Sequence, residues 1–294
     1  LARKNAAISS APREFAINPG NNRWHSEWLR AILYDMIAIA SRLRIFVLGL
    51  TVLMALVLVR LGAAEDTRRA VLVVDVTGVI GVATTLHIDA AFEQAKHDRA
   101  ELIVLRIDTP GGLVTSTREI VQLILASPIP VAGFVAPAGA HAASAGTFIM
   151  AATHVAAMAP GTQIGAATPI ALGAPSTPAT PGQDKDQKDK TPEQAAERKA
   201  LNDSIAWIRS LGQMRGRNVE WLEKAVRDAA TLTGEDALRE RVIELNANDI
   251  PDLVRKLDGR DVKLGETTRK LLTAAADIVR VEPSWRTQVL SAIA

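Results

Sequence analysis

With 294 residues, 48% of them apolar, the chain is long enough for one large domain or two small ones and carries ample material for a core. Its 34 basic and 32 acidic residues leave a formal charge of only +2, and no basic, aromatic-studded patch appears, so nothing argues for nucleic acid. The absence of cysteine excludes disulfides, zinc fingers, iron–sulfur clusters and a cysteine nucleophile.

Residues 1–35 read as an upstream extension without a folded role, because Asn5 to Asn22 is polar and carries Pro and Gly. Residues 36–64 are different. Met36 is a natural start, Arg42-Leu43-Arg44 is basic, and Ile45–Val59 is an unbroken apolar run followed by the small residues Gly62 and Ala64. A spanning helix wants ~20 apolar residues and a signal-peptide core roughly 7–15. The pattern predicts a secretory signal cut near Ala64 or, at this borderline length, an uncleaved membrane anchor.

Residues 65–290 form the expected folded domain. Val71–Val76 is a β-branched run suited to a strand buried on both faces. Helical spacing follows over Thr84–Lys96, a second strand over Leu102–Asp108, and a helix over Leu113–Ala126 ended by Pro128 and Pro130. Val131–Val135 is a third strand and His154–Pro160 a short fourth, with His154 in it. Strands alternating with helices predict an α/β fold with a mostly parallel sheet. Residues 168–192 change character, from Pro/Ala/Thr-rich to the charged run Asp184–Lys190, and are predicted to be a mobile loop. Helices are expected over Pro192–Met214 and Val219–Ala229, then a short one capped by Thr233 and a last one opened by Asp249-Ile250-Pro251.

One hydroxyl stands out. Ser144 lies in the small-residue run Gly139–Phe148, directly after the third strand, where a loop would enter a helix with unpaired N–H groups. A substrate carbonyl becoming an oxyanion suits such a place, and a crowded Ala/Gly helix in the core suits it equally. A serine needs a base to become a nucleophile. His25, His87, His97, His141 and His154 each read as surface or core residues. The other option is Lys199, amid Ala195, Ala196, Ala200 and Leu201, if an apolar setting disfavours its charge; a solvated helix lysine is the alternative. Acids and histidines are too scattered for a metal site, and no cofactor is implied.

Thr109-Pro110-Gly111-Gly112, Ala142-Ala143-Ser144-Ala145-Gly146-Thr147 and Pro160-Gly161-Thr162-Gln163-Ile164-Gly165-Ala166-Ala167 occur in order. With Lys199, Gly216-Arg217-Asn218 and Leu232-Thr233-Gly234-Glu235-Asp236, the series resembles the NfeD-type membrane serine proteases, relatives of the Clp protease and signal peptide peptidase A, over roughly residues 68–290. The resemblance implies a Clp protease/crotonase-like fold of ββα units. It places Ser144 at the nucleophile and Lys199 at the general base of a Ser–Lys dyad, with Gly111, Gly112 and the amide of Ala145 at the oxyanion hole. Clp proteases use a histidine shortly after the serine; here Pro169 and Ile170 occupy that neighbourhood. Longer family members continue into membrane helices and a small β-barrel, so the resemblance leaves open a fragment, a short version or a truncation.

The expected function is a membrane-associated serine endopeptidase outside the cytoplasm, at least a dimer, acting on apolar peptide such as the C-terminal region of a stomatin-like membrane protein. Two alternatives stand beside it: a non-catalytic scaffold for a stomatin-type partner, and a crotonase-like acyl-thioester enzyme.

Overall fold

A computed structural model of the chain describes residues 23–62, 69–169 and 192–283. It divides into two compact units, Leu1–Thr67 and Arg68–Ala294. The first unit contains α1 (Arg23–Gly62), a single helix of 40 residues. Its sequence carries neither Pro nor Gly before Gly49, so nothing interrupts the helical ladder. The helix begins at Arg23, so part of the stretch expected to lack a folded role is helical. Residues 1–22 and the expected cut near Ala64 lie outside the described residues. Trp28–Met54 is long and apolar enough to cross a membrane, and its side chains are exposed among the described residues.

The second unit is built on a parallel sheet. In chain order its first elements are β1 (Ala70–Thr77), α2 (Val82–His97), β2 (Leu102–Asp108), α3 (Val114–Ala126) and β3 (Val131–Val135). Then come β4 (His141–Ala143), α4 (Ala145–Ala152), β5 (Val155–Met158), β6 (Gln163–Gly165), α5 (Pro192–Arg215) and α6 (Val219–Arg227). The chain continues through β7 (Thr231–Thr233), α7 (Gly234–Arg239), β8 (Leu245–Asn246) and α8 (Ile250–Leu257). It ends in β9 (Asp261–Leu264), β10 (Thr267–Lys270) and β11 (Asp277–Val281). Among the described residues, β11-β1-β2-β3-β5-β8 make a six-stranded sheet in which every neighbouring pair is parallel.

Both faces of this sheet are covered, which is why β1 and β2 read as continuous apolar runs. On one face Leu72, Val74, Ile103, Leu105 and Val135 join Ile88 and Phe92 of α2, Ile120 and Ile124 of α3 and Ile149 of α4 in one buried cluster. On the other, Val71, Val73, Val104 and Phe134 pack with Leu253, Val254 and Leu257 of α8. The β9–β10 hairpin and β11 follow the helix that the sequence marks as last; β11 adds to the sheet edge beside β1, with Ala70 opposite Asp277. A smaller sheet, β4-β6-β7, stands apart from the main one: β4 runs parallel to β6, and β6 antiparallel to β7. His154 precedes β5 instead of lying within a strand. Residues 170–191, most of the stretch predicted to be a mobile loop, lie outside the described residues. Thr168 at its start is fixed, its Oγ1 donating to Val226 O at 2.8 Å.

Candidate active site

Ser144 is the N-cap of α4 and adopts φ 51°, ψ −112°, a left-handed backbone that non-glycine residues seldom take. The surroundings hold it there. Its N–H donates to Gly165 O at 3.1 Å, and its carbonyl accepts Thr147 N–H at 3.0 Å. Thr147 is fully buried and its Oγ1 lies 2.9 Å from both Ala142 O and Gly165 O, so its one proton is shared between two carbonyls, which ties the start of α4 to β4 and β6. Strain of this kind persists where the environment over-determines it, and it clusters at functional sites. Ser144 itself is half-buried, and its Oγ makes no hydrogen bond among the described residues.

The glycine pair reaches Ser144 because β2 and β3 are parallel neighbours, so the loops leaving their C-terminal ends meet. Thr109 bridges them: its N–H donates to His141 O at 2.8 Å and its carbonyl accepts Ala143 N–H at 3.0 Å. Gly111 has φ +124°, and a Cβ placed on it would lie 2.6 Å from Ser144 Cβ. On Gly112 a Cβ would lie 2.1 Å from Ile80 O. Both positions therefore admit only glycine. Ile80 N–H donates to Gly111 O at 2.8 Å and Leu113 N–H to Ile80 O at 2.9 Å. Among the described residues the N–H groups of Gly112 and Ala145 have no acceptor, whereas Gly111 N–H donates to Thr109 Oγ1 at 3.1 Å. Two free amides thus flank the serine loop, and the negative charge of an oxyanion is what free amides at a helix start accommodate.

The far end of α4 is fixed as firmly. Arg217 is buried and donates to Met150 O at 2.5 Å and Thr153 O at 3.0 Å, while Arg215 donates to Ala152 O at 2.8 Å. These carbonyls lie in the last turn or just past the helix end, where regular helical donors run out; Met150 O also accepts Thr153 N–H at 3.3 Å and the Thr153 hydroxyl at 2.8 Å. Arg217 forks onto Glu244 with two contacts of 2.9 Å, and Glu244 accepts Ala156 N–H from β5. Burial, then the neighbouring Arg217, brings Arg215 down to about 10, with Glu244 opposing. Burial, then Arg215 and Arg217, holds His154 down at about 3; its Nδ1 accepts Val131 N–H at 3.2 Å.

α5 lies along α4. Phe148 stacks on Trp207, centroids 4.5 Å apart, and Arg118 of α3 sits 4.3 Å above the Trp207 ring. Ile208 and Leu211 are buried, and Leu201 and Ile205 partly so. Before Leu201 the packing stops: Gln194–Ala200 are all exposed, Lys199 among them. Among the described residues no apolar enclosure surrounds Lys199, since Ala195, Ala196 and Ala200 are as exposed as it is. Among the described residues no hydrogen bond joins Lys199 Nζ to Ser144 Oγ.

The histidines give Ser144 no partner among the described residues. His141 N–H donates to Asp108 Oδ1 at 3.2 Å, and its Nδ1 lies 3.4 Å from the same oxygen. His97 pairs with Asp98, and His87 is buried. Sequence reasoning passed over the two buried threonine hydroxyls, Thr109 and Thr147. The available signal was a threonine two residues from a glycine turn, a setting in which hydroxyls bond local backbone.

Residues 70–267 match the NfeD1b N-terminal domain family. The chain belongs to that family. It is 36% identical over 240 residues to the membrane-bound protease PH1510 of Pyrococcus horikoshii, covering 81% of this chain and 51% of the relative. It is also 36% identical over 110 residues to the membrane protein NfeD1b of Bacillus subtilis, covering 37% of this chain and 24% of that protein. The chain thus spans about half the length of the first relative and about a quarter of the second. Among solved structures it is similar to a membrane-bound stomatin-specific protease. A lysine-to-alanine mutant of that protease with a substrate peptide gives a TM-score of 0.65 and 34% identity, covering 77% of this chain and 98% of that one. A serine-to-alanine mutant gives 0.64 and 36%, covering 74% and 99%. The fold is like that of the solved stomatin-specific protease, with the parallel sheet expected from the sequence.

Proposed function

We propose that the chain is a membrane-associated serine endopeptidase, with Ser144 as nucleophile and Lys199 as general base. The observation that carries this reading is the strained Ser144 at the start of α4, between the acceptor-free amides of Gly112 and Ala145. Ser144 Oγ attacks a peptide carbonyl carbon and Lys199 takes its proton. The carbonyl oxygen becomes an oxyanion held by those amides, with Gly111 forming the wall against the serine. The C–N bond then breaks, the leaving amine receives the proton, and water hydrolyses the ester. Lys199 stands on an exposed helix end, so a bound apolar segment closing over it supplies the burial that disfavours an ammonium. The stomatin-specific structures support a stomatin-like protein as substrate, and this reading takes its apolar segments as the point of cleavage.

In this reading residues 36–64 export the domain and tether or release it, residues 65–290 act outside the cytoplasm, and the active form is at least a dimer. The test is cleavage of an apolar peptide by the purified chain in detergent, with Ser144→Ala and Lys199→Ala alongside. Loss of cleavage in both, and loss of serine-directed phosphonate labelling in Ser144→Ala, is expected. Full activity in either variant removes that residue from the mechanism.

A further inference from the structure

We infer that Thr109 is a positioning residue for the oxyanion site: its hydroxyl takes up the Gly111 amide and leaves Gly112 as the glycine amide open to an oxyanion. The inference rests on the peptidase reading and deepens it. Thr109 is fully buried. Its Oγ1 lies 2.6 Å from Gly78 O, 3.1 Å from Gly111 N and 3.2 Å from Gly111 O. A hydroxyl has one proton and two lone pairs. The shortest contact takes the proton to Gly78 O, so a lone pair is free to accept Gly111 N–H.

The consequence falls on Gly112. Gly111 O accepts from Ile80 N–H, and Leu113 N–H donates to Ile80 O, so both residues flanking Gly112 are tied to one strand segment. With Gly111 N–H also engaged, the Gly112 amide is the one backbone N–H of Gly111–Leu113 without an acceptor among the described residues. Gly111 has φ +124°, and glycine leaves that region easily, so the hydroxyl is what holds the turn. Thr109 meanwhile pairs through its backbone with His141 and Ala143 on the strand that delivers Ser144. One residue therefore ties the Gly112 donor loop to the Ser144 loop. Its methyl has a separate task, lying 2.8 Å from where a Cβ on Gly146 would stand, against the first turn of α4.

Thr109→Val keeps the shape and removes the hydroxyl; Thr109→Ser keeps the hydroxyl and removes the methyl. Both are made in the full chain with glycine-selective ¹⁵N labelling. The Gly111 amide is expected to be protected from hydrogen exchange in the parent and in Thr109→Ser, to lose at least ~10-fold of its protection in Thr109→Val, and the Gly112 amide to exchange fast in all three. In peptide hydrolysis Thr109→Val should lower kcat by ~10–100-fold with KM within about twofold, since a displaced oxyanion donor acts on the transition state. Thr109→Ser should stay within about threefold. Retained Gly111 protection in Thr109→Val overturns the assignment, and so does equal loss of kcat in both variants, which would make the methyl the cause. If the parent chain hydrolyses no peptide and Ser144 takes no phosphonate, the peptidase reading fails, while the exchange result still decides whether Thr109 holds the turn.

Discussion

Gly111→Ala puts the wall of the proposed site to a direct test. The added methyl would stand 2.6 Å from Ser144 Cβ, 3.1 Å from Ser144 Oγ and 3.6 Å from Ala143 O. Carbon atoms prefer ~3.5–4.0 Å, so the first contact is too short by about 1 Å. Ser144 Cβ is fixed to a backbone bonded to Gly165 O and Thr147 N–H, and rotating χ1 moves only the hydroxyl. Overpacking of this kind costs ~1–3 kcal/mol, and alanine at φ +124° roughly 1–3 kcal/mol more. A loss of about 4 kcal/mol corresponds to a fall in Tm of roughly 8–16 °C for a domain of this size. Gly139→Ala is the control. It too has a positive φ, +89°, but no atom lies within 4 Å of its would-be Cβ, so only backbone strain of ~1–2 kcal/mol applies. Thermal melts of both variants separate crowding from strain, and phosphonate labelling reports on Ser144. Wild-type labelling in Gly111→Ala, with a melt matching that of Gly139→Ala, would refute the contact between Gly111 and the serine.

Arg217→Met removes both carbonyl contacts at the end of α4 and strands Glu244, whose side chain is 22% exposed; ~3–5 kcal/mol should be lost in denaturant unfolding, and a loss under ~1 kcal/mol would contradict the burial described. Asn218→Ala should cost ~1 kcal/mol in the same assay, because Asn218 Oδ1 caps α6 by accepting Trp221 N–H at 3.0 Å. His154, held down at about 3, binds its proton more readily when unfolded, so stability is fully present above the ordinary value of 6.5 and is lost as pH falls toward 3. At ~1.4 kcal/mol per pH unit, about 3 kcal/mol should go between pH 6.5 and 4, and a His154→Gln chain should show a correspondingly flatter pH profile.

The four inner strands of the main sheet, β1, β2, β3 and β5, were legible because they are apolar on both sides, a pattern that survives without knowledge of neighbours. The small sheet was not. β4, β6 and β7 are three-residue strands, His-Ala-Ala, Gln-Ile-Gly and Thr-Leu-Thr, and what makes them strands is the partner across the gap, as with Ala142 opposite Ile164 and Ile164 opposite Leu232. β11 escaped for a related reason: Asp277–Val281 is an exposed edge strand, so no buried apolar run marks it. The N-terminal helix shows the opposite failure, since its first turns, in which Arg23, Glu27, Leu29 and Arg30 favour a helix, were read together with the polar residues before them.

At the site, legibility followed how far each residue depends on others. Ser144 and Ala145 stood out because small residues around one hydroxyl are a local pattern, and the strained backbone comes from the chain's own strand-to-helix turn. Gly111 and Gly112 needed the parallel pairing of β2 with β3 to reach it, which the α/β pattern supplied. Thr109 and Thr147 were hidden because a buried hydroxyl acts through backbone carbonyls, and no residue type records where a carbonyl points. Lys199 is the limiting case. Packing fixes α5 from Leu201 onward through Ile205, Ile208 and the Phe148–Trp207 stack, and Lys199 lies beyond the last of those contacts. As the proposed base, a lysine that is exposed among the described residues draws its environment from whatever docks there, so its chemistry belongs to the complex with substrate and is written in neither the sequence nor the fold alone.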